Sequence, residues 1–164
     1  MILTEPKITT IPKKLLAAVS VRTSIEEFGM PRAWQQLMPK RNEITNTVSN
    51  NRYSIQVYDQ AYDYKTFTPY TQFTYIAGIE VSDQNMLPEG IEPKQLVGGL
   101  YAVFNHKGTM TQFRKTLQYI HQEWLPQSIY QLDHRNHFEV LGDTYLGHDN
   151  PNSEEEVWVP IKKK

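Results

Sequence analysis

The order of strand-like and helix-like segments repeats along this chain at an offset of about 84 residues. A sequence built in that way must fold as two like units that complete one another's core. In the first half, Leu15–Arg22 reads as a strand, a helical stretch follows from Ser24, and Tyr53–Tyr58 and Phe73–Val81 alternate with period two. In the second half the strand is Leu100–His106, the helix opens at Thr109, and strands fall at Phe138–Leu141 and Glu155–Ile161. Lys7–Ile11 suits a short extra strand. Each half therefore reads strand, helix, strand, strand. Identity between the halves is low, so the architecture repeats rather than a short solenoid motif.

Local chemistry supports both helices. Thr109-Met110-Thr111-Gln112 has the spacing of a capping box, and Phe113, Leu117, Ile120 and Trp124 recur behind it at helical intervals until Pro126 stops the run. Ser24-Ile25-Glu26-Glu27 has the same form, but Gly29 and Pro31 interrupt the helical pattern behind it, so that helix is kinked or begins again at Pro31. Trp34, Leu37 and Met38 then make its apolar stripe, with Pro39 at its end. Ser82–Pro93, rich in Pro, Gly and acids, reads as the connection between halves. The expectation is one α+β domain over residues 1–164, with half-repeats 1–82 and 94–164, an antiparallel sheet and two main helices. A pseudo-twofold axis between the halves leaves a central groove, the usual place for a small-molecule site.

Composition narrows the function. With no cysteine, thiolate metal sites, disulfides and cysteine nucleophiles are excluded. Seventeen Lys and Arg against eighteen Asp and Glu give a net charge of −1, which offers no general attraction to nucleic acid. The opening Met1–Pro6 lacks the pattern of a leader, and no apolar run is long enough to span a membrane, so a cytoplasmic location is expected. The five histidines show no metal-ligand spacing, and His134 and His137, three apart in an expected loop, read as surface polar groups; Gly98-Gly99 precedes a strand rather than a phosphate-binding helix, and no serine has a nucleophile-elbow context. No cofactor is implied.

Two glutamates stand inside strands. On the last strand Val157, Val159 and Ile161 share one face, with Glu156 and Trp158 on the other; Phe138 and Val140 likewise oppose Glu139 and Leu141. Either acid reads first as a solvated strand-face residue. If the valine faces pack on the helices, however, both carboxylates and Trp158 point together into one cleft. A carboxylate among aromatic rings suits a flat apolar cation, and also suits a general base acting on water.

Gly98–Gly108, the helix ending Glu123-Trp124-Leu125-Pro126-Gln127-Ser128, His137-Phe138-Glu139-Val140 and the terminal Glu156-Val157-Trp158-Val159-Pro160-Ile161 closely resemble the GyrI-like, or bacterial transcription-activator effector-binding, family. Its ligand-binding members are multidrug-sensing domains attached to AraC-type and MerR-type regulators. The resemblance implies a groove for bulky hydrophobic, often cationic compounds. It assigns the pocket glutamates to Glu139 and Glu156, pocket walls to Trp124, Tyr101 and Trp158, and a lid position to Tyr145, with Trp34 a weaker match. The domain begins almost at residue 1, so DNA-linked regulation is not expected from this chain. The leading expectation is a non-enzymatic binder of small organic molecules. The alternatives are a gyrase-inhibitor-like protein that engages DNA gyrase or a regulator, and a glutamate-dependent hydrolase of electrophilic small molecules.

Overall fold

A computed structural model describes residues 5–164; the opening Met1–Thr4, on which the reading of no leader partly rests, lies outside the described residues. Among the described residues nine strands and two main helices form an α+β fold. Their order is β1 (Lys7–Ile11), β2 (Lys14–Thr23), α1 (Met30–Leu37), β3 (Arg52–Val57), β4 (Phe73–Glu80), β5 (Glu92–Leu96), β6 (Gly99–Lys107), α2 (Met110–Tyr119), β7 (Tyr130–Leu132), β8 (His137–Leu141) and β9 (Glu154–Lys163). The antiparallel sheet runs β1-β6-β9-β8-β3-β4-β2-β5, and β7 adds to the far end of β9.

That order is a palindrome. Lys7, Lys14 and Arg52 open β1, β2 and β3, and Glu92, Gly99 and His137 open β5, β6 and β8, each 85 positions later. The repeat is thus strand-strand-helix-strand-strand, one strand longer than the sequence suggests. The first strand of each half is exchanged: β1 pairs with β6 of the second half, and β5 with β2 of the first. The stretch read as a connection therefore ends inside β5. Its sequence, EPKQL, hides the strand behind a proline and charges, which an edge position tolerates because one side needs no ladder hydrogen bonds.

The exchange forces the sheet to curl. β1 and β2 stand six places apart in the order, yet only Pro12 and Lys13 join them. A flat sheet would separate these strands by roughly 29 Å, whereas three Cα–Cα steps span at most about 11 Å. Val97-Gly98 makes the same short crossing between β5 and β6. The two crossings touch: a Cβ on Gly98 would lie 2.6 Å from the Ile11 carbonyl oxygen and 2.7 Å from the Lys13 nitrogen, so only glycine fits.

Curling gives the sheet an inside. Leu16, Ala18, Tyr53, Ile55, Ile76, Leu96, Tyr101, Val103, Phe138 and Val140 fill it as one buried cluster, with Trp158 packed alongside. The helices lie outside. α1 covers β2 and β4 through Ala33 and Leu37 against Ala17, Val19 and Ala77. α2 covers β6 and β9 through Ile120, Phe113 and Leu117 against Phe104, Val157 and Val159. Between them the outer faces of β3 and β8 are left without a covering helix among the described residues.

The helix boundaries follow their caps. Thr109 and Gln112 form the expected capping box, with Gln112 Oε1 accepting from the Thr109 amide at 2.8 Å. α2 continues through a wide π-helical turn, Ile120–Trp124, and one last turn, Leu125–Gln127, so Pro126 sits within the final turn rather than ending the helix before it. In the first half Ser24 caps only a turn, accepting from the Glu27 amide, and Phe28 takes φ +53° before α1 starts anew beside Pro31.

Candidate functional site

The groove floor is made by alternate residues of the two central strands. Ser54 pairs directly with Glu139, and Gln56 with His137. Glu139 pairs on its other side with Val157, and Ser54 with Ala77, both of which pack beneath the helices. Glu139 therefore opens between α1 and α2. The expected common cleft of Glu139 and Glu156 is overturned here. Phe138 and Val140 face the inside of the curled sheet, so it is Glu139, not the valine face, that lies on the helix side of β8.

Glu156 and Trp158 project to the opposite face, where the Trp158 Nε1–H donates to Glu156 Oε1 at 3.1 Å and the indole stacks on Phe138 with ring centroids 5.1 Å apart. Tyr101 is fully buried on that inner face as well. Its hydroxyl donates to the Val97 carbonyl at 2.6 Å, and the Arg135 guanidinium lies 4.6 Å from its ring. Trp124 packs edge-on to Phe104 beneath α2 and stacks with Tyr130. Of the sequence-designated residues, the structure brings Glu139, Trp34 and Tyr145 to the groove. Tyr101, Glu156 and Trp158 are inside the sheet, and Trp124 belongs to the packing of α2.

Three hydrogen-bonded side chains lead from Trp34 toward Glu139. The Trp34 Nε1–H donates to the Tyr75 hydroxyl at 2.8 Å, and the Tyr75 and Ser54 hydroxyls are 2.7 Å apart. Ser54 stands directly opposite Glu139 on the neighbouring strand, and Gln56 Nε2 donates to Glu139 Oε1 at 3.0 Å. Glu155, two residues before Val157, is the diagonal neighbour of Glu139 on the same face. It is the acid of the Glu154–Glu156 run that shares the groove. Strand parity separates it from Glu156, but which parity faced the helices was not readable without the sheet's curl.

The electrostatics follow from recession. Glu139 keeps only a small solvent contact through the groove, and burial pushes its pKa up to about 8; Glu155 adds repulsion, while the hydrogen bonds from Gln56 and Ser54 oppose the shift. Burial alone raises Glu155 to about 7. Both carboxyls thus lose charge near neutrality, which makes each responsive to a cation placed beside it.

Aromatic rings close one end. The segment after β3 carries Tyr58, Tyr62, Tyr64 and Phe67, and the ring of Tyr62 lies 4.8 Å from Tyr58, 5.3 Å from Phe67, 5.1 Å from His121 and 5.3 Å from His137. Tyr64 stacks on His121, which the π-helical turn of α2 presents. Burial lowers His121 to about 4 and His137 to about 3, with repulsion from the protonated forms of its neighbours His121 and His134 and from Arg135 adding to the latter, so both imidazoles are neutral near pH 7. The reading of His137 as a surface group is corrected: it is buried, sharing strand parity with Glu139, a signal the sequence did contain. His106, at the end of β6, is buried and hydrogen-bonded through Nδ1 to Thr116. At the other end Tyr145 stands 6.0 Å from the Arg52 guanidinium. No group of three or more His, Cys, Asp or Glu able to hold a metal occurs among the described residues.

Two exchanged repeats, with a recessed carboxylate between their helices and aromatic rings beside it, define the class of pseudo-twofold domains that receive small organic ligands. The sequence model of the GyrI-like small molecule binding domain matches residues 4–162, and the chain belongs to that family. Transcriptional regulator BrlR of Pseudomonas aeruginosa is 29% identical over 128 residues, which cover 78% of this chain and 44% of BrlR, so the match spans less than half of that regulator. The EcmrR C-terminal domain has the same fold, with a TM-score of 0.70, 15% identity and 98% of each chain covered. So does SAV2435, solved bound to tetraphenylphosphonium, with a TM-score of 0.68, 12% identity, and coverage of 97% of this chain and 94% of that one. The protein is accordingly a small-molecule binding domain related to the ligand-binding domains of transcription regulators. No helix among the described residues is long and apolar enough to cross a membrane.

Proposed function

We propose that the groove between α1 and α2 binds a bulky, hydrophobic organic cation, with Glu139 as its counter-charge and the Tyr58–Tyr62–His137 rings as its apolar wall. The single observation that carries this reading is the recessed Glu139 carboxyl at the meeting of the two halves, poised by burial near neutral pH. An isolated carboxylate in such a place is costly; a cation beside it restores the charge pairing that water would otherwise supply. Aromatic faces add attraction of about 0.5–2 kcal/mol each to a desolvated cation. The bound tetraphenylphosphonium of SAV2435, an apolar cation, agrees with this chemistry.

Three ligands of similar bulk test it. Tetraphenylphosphonium, tetraphenylborate and triphenylphosphine oxide differ mainly in charge, and intrinsic fluorescence with Trp34 at the groove provides the readout. Saturable binding favouring the cation is expected at pH 8. Equal binding of all three would retain the groove and remove Glu139 from the explanation, and tighter binding of the anion would overturn the proposal.

A further inference from the structure

We infer that Trp34 and Tyr75 are positioning residues that act through Ser54 on Glu139, holding the hydrogen-bond chain in the one polarity that favours the carboxylate. The inference deepens the reading of Glu139 as the counter-charge of an organic cation and rests on it for its functional meaning.

Donor chemistry fixes the direction. An indole N–H can only donate, so the Tyr75 oxygen accepts from Trp34. A phenol oxygen that already accepts one hydrogen bond keeps its own proton free, and the other partner of that hydroxyl among the described residues is Ser54, at 2.7 Å. With Tyr75 donating, the Ser54 oxygen is an acceptor and its proton is released toward Glu139. The Ser54 hydroxyl is then turned to the carboxylate directly opposite it, beside the hydrogen bond that Gln56 donates. Without the indole, Ser54 is free to donate to the Tyr75 oxygen instead, and its proton turns away from Glu139. Hydrogen bonds to the charged form of an acid favour ionisation, so the chain opposes the effect of burial.

The chain also crosses the molecule. Trp34 on α1, Tyr75 on β4 and Ser54 on β3 belong to the first repeat; the acid they serve belongs to the second. The remaining ionisable groups that act on Glu139 or feel its charge are Glu155 on β9, Tyr58 beyond β3 and Tyr145 in the β8–β9 connection, with Arg52 beyond Tyr145. The neutral His137 lies two residues along β8. None of these hydrogen-bonds the indole, so replacing it isolates the chain's own effect.

The test reads Glu139 directly and needs no ligand. The whole chain, labelled with carbon-13 at glutamate side-chain carboxyls, is titrated by NMR, and the Glu139 resonance is assigned by its loss in Glu139→Gln. Trp34→Phe and Tyr75→Phe keep the aromatic bulk and remove one N–H or one O–H. In Trp34→Phe the Glu139 midpoint is expected to rise by up to about one pH unit, the effect of losing one hydrogen bond to a charged group, whereas Tyr75→Phe, which removes the oxygen that competes for the Ser54 proton, should leave it near the wild-type value. Ser54→Ala should give the same rise and Ser54→Thr should restore the wild-type midpoint, which a purely structural role would not do. A midpoint unchanged in Trp34→Phe, or raised as far in Tyr75→Phe, would overturn the inference.

Tetraphenylphosphonium affinity separates the two levels. Well below the midpoint, up to about tenfold weaker binding is expected in Ser54→Ala, vanishing at high pH, with triphenylphosphine oxide unaffected. A shifted midpoint in a protein that shows no preference for the cation would sustain the hydrogen-bond chain and refute the counter-charge reading instead.

Discussion

The two repeats superpose position for position at the groove and differ there in chemistry. Ser54 and Glu139 occupy equivalent places, 85 residues apart, and they also pair with one another, so the pseudo-twofold axis passes between them. Tyr75 and Glu155 are equivalent too, each two residues before the partner, Ala77 or Val157, that pairs with the axial residue. The first half thus presents neutral hydroxyl donors and the second presents acids. A strictly symmetric groove would set two carboxylates against each other on the axis. Placing serine opposite glutamate removes that repulsion and supplies a donor, which teaches that the charge of the site arises from broken symmetry within a symmetric frame.

Restoring the symmetry should have the largest effect. Ser54→Glu places like charges directly opposite in a desolvated strand pair, and a loss of about 2–4 kcal/mol is expected at pH 8.5. The loss should be much smaller at pH 6, where the acids are protonated; urea unfolding at the two pH values measures it. A variant as stable as wild type at pH 8.5 would mean that the axis is open to water.

Removing the one axial acid comes next. Glu139→Gln is expected to weaken tetraphenylphosphonium binding by about 30-fold or more at pH 8.5, since a buried charge pair is lost. Its stability should move the other way. The Glu139 pKa is raised in the folded state, to about 8, above the ordinary glutamate value, so the native protein holds more protons than the unfolded chain between roughly pH 4.5 and 8. Wild-type stability therefore falls as pH rises through that window, whereas the glutamine variant should lack this part of the slope. Denaturant midpoints across pH 5–9 decide it; parallel slopes would argue that Glu139 is hydrated.

The aromatic wall should be less sensitive to charge. Tyr62→Ala removes the ring at the centre of the Tyr58, Phe67, His121 and His137 contacts, and should weaken the cation and triphenylphosphine oxide alike, by roughly fivefold. Loss confined to the cation would transfer part of the charge recognition to that ring. The smallest effect is expected on the other face. Glu156→Gln, close in sequence to Glu155 but inside the curled sheet, should leave cation affinity within about twofold, because coupling through the sheet between groups without shared partners is weak.

The legibility of the molecule follows the same division. Period-two alternation in β2, β4, β6 and β9, the Thr109 capping box and the long offset were enough to expect two like α+β halves and a groove at their junction. β5 was hidden because an edge strand can be polar and contain Pro93. The opposed faces of Glu139 and Glu156 were hidden for a different reason. Alternation sorts residues into two faces but does not say which one a helix covers, and in β8 the apolar face of Phe138 and Val140 is turned inward by a curl that depends on the two-residue crossings at Pro12-Lys13 and Val97-Gly98. The hydrogen bonds that line the groove join residues as much as 83 positions apart, as from Gln56 to Glu139, and no local pattern marks them.

The most direct test of Glu139 as the counter-charge is the proton count on binding. Calorimetric titration of tetraphenylphosphonium at pH 7, in two buffers of different ionisation enthalpy, gives the number of protons released per ligand bound. Release of close to one proton is expected in the wild type, because a carboxyl with a pKa of about 8 is mostly protonated at that pH and must ionise to pair with the cation. In Glu139→Gln that proton should be missing. Tight cation binding by the wild type with no proton released would contradict the counter-charge role.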